Sequence, residues 1–150
     1  NNQSNRLGDL GRREDALAAI TRAVEIDQSL VKQRPDAFLP NLASSLNNRS
    51  VCLADLGRLE DALAAITRAV EIYQSLAKQR PDAFLPNLAS SLTNQSVRLA
   101  GLGRREDALA AITRAVEIRE VLAKQQPTVF ADALERARQL RKAVRQIPEE

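Results

Sequence analysis

GRLEDALAAITRAVEI, residues 57–72, returns 46 residues earlier at 11–26 and 46 residues later at 103–118. Only the third position of the stretch varies, as Arg13, Leu59 and Arg105. Phe38, Phe84 and Phe130 keep the same spacing and are the only phenylalanines. A period between about 20 and 50 residues predicts an array of supersecondary units that bury their apolar faces by stacking on one another. Such arrays present long surfaces to partners and seldom carry chemistry.

Within the stretch, Leu63, Ile66 and Val70 recur at helical spacing, with Ala62, Ala65 and Ala69 beside them. This predicts an amphipathic helix with a strip of small residues that permits close approach of a neighbour. Glu60 and Asp61 fall in its first turn and Lys78 near its end, complementing the helix dipole. The pattern runs from about residue 59 to 79. A second helix lies between Pro35 and Gly57, striped by Leu39, Leu42, Leu46, Leu53 and Leu56. Pro35 and Pro40 confine its start, because proline is tolerated in the first turn. Asp36 is the expected N-cap, and Gly57 the left-handed residue past the end. The unit is therefore a helical hairpin with a tight glycine turn, joined to the next by a looser Arg-Pro-Asp turn. No strand pattern appears.

The expected fold is all-α: a right-handed superhelical solenoid of antiparallel helix pairs. Residues 1–127 form the array, its first unit truncated at the N-terminus. Residues 128–147 form a capping helix, followed by a short tail to residue 150. The cap is striped by Phe130, Leu134, Ala137, Leu140, Val144 and Ile147 and is otherwise rich in arginine. Terminal units need a polar outer face, which this helix supplies.

Residues 11–56 and 57–102 differ at seven positions, which points to recent duplication or to a consensus-like sequence. The chain has no methionine and opens on Asn1 in mid-pattern, as expected of a fragment. Twenty-two Lys and Arg against 19 Asp and Glu leave a net charge of +3, too slight to indicate nucleic acid. There is no histidine, which excludes Ser-His, Cys-His and His-metal sites. Cys52 alone excludes an internal disulfide and fits a reducing, cytoplasmic setting. No cofactor, metal site or catalytic residue is expected. No run of residues is long and apolar enough for a membrane span.

The pattern L-x-x-L-G-R-x-E-D-A-L-A-A-I-x-x-A, from Leu53 to Ala69, resembles the second half of a tetratricopeptide repeat. Residues 45–57, SLNNRSVCLADLG, are similar to the first helix of kinesin-light-chain-type repeats and their bacterial relatives. The usual period is about 34 residues, so 46 lengthens each helix. The usual leucine after the large residue of the first helix is replaced by Gln3, Arg49 and Gln95. These polar residues on an apolar stripe are expected to snorkel or to hydrogen-bond between units.

The resemblance implies a protein-interaction module, in the sensor or scaffold part of a larger bacterial protein, binding an extended peptide or partner protein on its concave face. The implied contact residues are Asn2 and Asn5, then Ser44, Asn47, Asn48, Val51 and Asp55, then Ser90, Thr93, Asn94 and Val97. Asn2, Asn48 and Asn94 recur one per unit. An asparagine amide can both donate to and accept from a peptide backbone unit. The alternative is a spacer or self-association array without a peptide ligand. The basic last helix leaves nucleic acid or anionic membrane as a disfavoured partner, since few aromatic residues are available to stack on bases.

Overall fold

The computed structural model describes residues 2–149, with the side chains of Asn2, Ser4 and Asn5 outside the described residues. It is all-helical. The elements are α1 (Asn2–Gln33), α2 (Pro35–Asp55), α3 (Leu59–Gln79), α4 (Pro81–Gly101), α5 (Arg105–Gln125) and α6 (Pro127–Arg145). Contacts divide the chain into two compact units, 1–72 and 73–150, with the boundary inside α3. Among the described residues no helix is long and apolar enough to cross a membrane.

In the first unit α1 packs on α2. Leu17, Leu53, Ala62 and Ala65 form a core cluster, edged by Ile20, Cys52, Ala54 and Leu56. The expected strip of small residues is the seam: Ala62 and Ala69 are fully buried. Absent side chains let α2 come close enough for the Ser50 hydroxyl to donate to the Ala62 carbonyl at 2.8 Å. In the second unit α4 packs on α5 and α5 on α6. The same bond recurs there, from Ser96 to the Ala108 carbonyl at 2.7 Å. A buried hydroxyl must find an acceptor, and a carbonyl at the end of its reach fixes helix–helix register.

The glycine turns at Gly57 and Gly103 form as expected. Both residues have positive φ, 74° and 75°. The Arg58 N–H donates to the Leu53 carbonyl and the Gly57 N–H to the Ala54 carbonyl, both at 2.9 Å. These two bonds make a Schellman turn, repeated at 99–104.

Four expectations are corrected. Gly11 makes no turn: α1 runs through it without a break, so the truncated first helix and the helix after it are one. Ten residues bury too little apolar surface to hold a fold-back against the entropy of fixing it. Asp36 is not the N-cap. Arg34 holds that place at φ −144° and ψ 79°, Pro35 takes the first helical position, and no side chain caps the helix. A residue before proline is pushed out of the helical region, which sets the break at Arg34. The Arg-Pro-Asp turns are therefore one residue long and not loose. Pro40 and Pro86 lie inside α2 and α4, one turn later than expected. Each removes one backbone bond, to the carbonyl four residues earlier.

The phenylalanines are half-buried and not core. Phe84 stands between Arg80, whose guanidinium carbon is 5.6 Å from its ring centre, and Tyr73, with ring centres 6.5 Å apart. Tyr73 is buried.

Candidate functional site

Each first helix of a hairpin has one covered and one open face. On α2 the covered face holds Leu42, Ala43, Leu46, Ser50 and Leu53. At 3.6 residues per turn, Ser44, Asn47, Asn48, Val51 and Asp55 fall in a stripe about 100° wide on the opposite side. Ser44, Asn48, Val51 and Asp55 are exposed and Asn47 is half-buried. On α4 the covered face holds Leu88, Ala89, Ser91, Leu92, Ser96 and Leu99. Ser90 and Val97 lie exposed opposite it, with Thr93 and Asn94 half-buried between them. Asn2 and Asn5 lie on α1, and their side chains are outside the described residues.

Both stripes are polar with one valine in the middle. Val51 and Val97 are 38% and 41% exposed. An isopropyl-sized apolar spot flanked by amides and hydroxyls can cover a small apolar side chain while the amides bond a backbone.

The two stripes differ. Asn47, Asn94 and Gln95 are engaged with neighbouring groups, whereas Asn48 projects into solvent. Thr93 donates to the Ala89 carbonyl at 2.8 Å and accepts from Arg119 Nη1 at 3.0 Å. A guanidinium from α5 thus reaches the open face of α4. Burial, and then the nearby Arg136 guanidinium, hold the Arg119 pKa below its ordinary value. Nothing in the first-helix pattern points to Arg119. The signal was elsewhere, at one position of the second helices that reads Asp27, Tyr73 and Arg119.

Of the polar residues on the apolar stripe, Gln3 is exposed. Arg49 is half-buried, with its Nε buried and without a partner. A second kind of concavity lies off these faces. A cavity of about 280 Å³ is floored by Ala77, Leu85, Leu88 and Ile118 and edged by Lys78, Arg114 and Glu117. A counterpart of about 350 Å³ uses Ala123 and Leu134 with Lys124 and Arg138. Both are open troughs along helix seams. Arg138 bridges to Glu120 across the second at 3.6 Å.

Residues 42–81 match the family model of the tetratricopeptide repeat. The match begins at the covered face of α2 and ends at Pro81, the first residue of α4, so it supports a tetratricopeptide-type hairpin made of α2 and α3. The same words return at 88–127 with nine replacements, none at the buried Leu88, Leu99, Ala108 or Ala115. The α4–α5 pair therefore repeats the hairpin that the family model matches. No curated protein matches the chain. Tetratricopeptide repeats mediate protein–protein interaction.

Proposed function

We propose that the chain is a protein-interaction module that binds an extended peptide, or an extended segment of a partner protein, on the open face of a first helix, α2 in the first unit and α4 in the second, each taken by itself. The observation that supports this most is the recurrence of one exposed valine among amides and hydroxyls, at Val51 and Val97, directly opposite a fully covered leucine face. Each amide bond to a ligand is worth about 0.5–1.5 kcal/mol net, so the valines must add apolar contact for useful affinity. The setting within a larger protein, and the closeness to kinesin-light-chain-type repeats, belong to the same proposal. So does a capping role for α6, which packs on α5.

A displayed-peptide selection against the chain tests the reading. Peptides should be enriched on the parent and lost, by about tenfold or more, on a variant carrying Asn48→Ala, Asn94→Ala, Val51→Asp and Val97→Asp. Circular dichroism should show that variant still helical, since the valines are exposed. Enrichment that survives all four changes would move the binding surface elsewhere.

One observation favours a second reading, self-association. In α3 and α5 the seam residues Ala62, Ala108, Ala65 and Ala111 are buried. Their counterparts in α1, Ala16 and Ala19, are exposed, and Leu7 and Ile26 are 67% and 54% exposed. These uncovered apolar side chains are spread along α1, and a second copy packed on that helix would cover the alanine strip. Light scattering at two concentrations should give a mass that rises with concentration if α1 pairs, and Leu7→Asp with Ile26→Asp should abolish the rise. A constant monomer mass would remove this reading.

A further inference from the structure

One strip of sequence is covered in one helix and bare in another. Residues 11–26 repeat residues 57–72 with a single change, Arg13 for Leu59. In α3 the strip is covered: Ala62, Ala65, Ile66 and Ala69 are buried. Residues 47–56 of α2 do the covering. Leu53 sits in the cluster with Ala62 and Ala65, and the Ser50 hydroxyl donates to the Ala62 carbonyl. In α1 the same strip is open, with Ala16 and Ala19 exposed and Ile20 and Ala23 half-buried.

The covering sequence is also present a second time. Residues 1–10, NNQSNRLGDL, match residues 47–56, NNRSVCLADL, at six of ten positions, and Leu7 and Leu10 stand where Leu53 and Leu56 do. Because α1 runs straight through Gly11, this segment extends away from the strip it would cover. Leu7 and Leu10 are exposed, as is every residue from Arg6 to Ala16. One helix thus carries a bare strip and a bare copy of the segment that fits it.

The two lie on opposite sides of α1. Leu7 and Ala16 are nine residues apart, and so are Leu10 and Ala19. Nine residues are two and a half turns at about 3.6 residues per turn, which leaves half a turn between segment and strip. A straight helix therefore cannot offer both to one partner helix. A second copy lying against Ala16 and Ala19 is on the wrong side to receive Leu7, so each contact leaves one segment and one strip unused. Contacts between unlike surfaces of identical chains are heterologous and continue from copy to copy, into a ring or an open string.

We infer that α1 joins copies of this chain head to tail, with residues 2–10 of one copy packing on Ala16, Ala19 and Ala23 of the next. The inference rests on the self-association reading and names its two surfaces. Residues 2–10 are already helical, so covering the strip of another copy needs no turn at Gly11 and orders no further backbone. So short a segment makes a small interface, and the association belongs to concentrated protein while dilute chains stay monomeric.

Sedimentation of the intact chain over a wide concentration range tests it. The average mass should climb past twice that of one chain without levelling there. Leu7→Glu with Leu10→Glu spoils the segment and leaves the strip. Ala16→Glu with Ala19→Glu blocks the strip and leaves the segment. All four positions are exposed and glutamate favours helix, so both variants keep the fold, which circular dichroism checks. Each variant alone should sediment as a monomer, and an equal mixture should reach twice the mass of one chain and stop. A parent chain that levels off at twice that mass would overturn the head-to-tail contact and leave self-association standing. A mixture that stays monomeric, or a single variant that associates as the parent does, would also overturn it. A parent chain that is monomeric at every concentration would remove the inference and the self-association reading together.

Discussion

Leu53→Ala should lower the unfolding free energy by about 2–5 kcal/mol, while Leu7→Ala, at the same place in the repeat, should change it by less than about 0.5 kcal/mol. Leu53 is 2% exposed and sits in the cluster with Leu17, Ala62 and Ala65. Truncating it leaves a cavity between α2 and α3 that near-rigid alanine neighbours cannot close. Leu7 is 67% exposed on the straight run of α1, so its methyl groups have no partners to lose. Urea unfolding of both variants followed by circular dichroism gives the comparison. Equal losses at the two sites would mean that residues 2–10 fold back over Ala16 in solution.

The second large effect changes sign along the chain. Gly57→Ala and Gly103→Ala should each destabilise by about 1–2 kcal/mol, because an L side chain in the left-handed region brings Cβ against the following carbonyl oxygen. Gly11→Ala should stabilise by about 0.5–1 kcal/mol, because it replaces a glycine inside a helix. An added Cβ meets nothing within 4 Å at any of the three, so packing does not enter and the backbone alone decides the sign. The same unfolding experiment measures all three. Destabilisation by Gly11→Ala would show a third hairpin turn there.

That contrast also marks what could be read from the residues alone. The span of α3 was legible because a small-residue strip, a glycine turn and acidic residues at its start, and a proline just past its end agree on it. The open and covered faces of α2 were legible because leucine spacing fixes one and leaves the other. Gly11 was not legible. Glycine accepts both conformations, and the choice depends on whether the preceding residues bury enough surface, which is a tertiary quantity. Pro40 was misplaced for a related reason: proline forbids one backbone bond but does not say whether packing outweighs its loss. The Arg119–Thr93 bond spans 26 residues and joins α5 back to α4, a pairing that no local pattern expresses.

Near-copies of one hairpin face a hazard in assembly, since during folding each second helix can dock on a first helix other than its own. The position occupied by Asp27, Tyr73 and Arg119 gives each second helix its own key. A helix bearing Arg119 in the slot of Tyr73 would bury a guanidinium beside Phe84 where an aromatic ring now stands, and an unpaired buried charge is costly. Tyr73 placed where Arg119 stands would leave Thr93 without its donor. A single side chain per copy thus penalises mispairing among segments that are otherwise almost interchangeable, and it does so where the three copies share the rest of their seam.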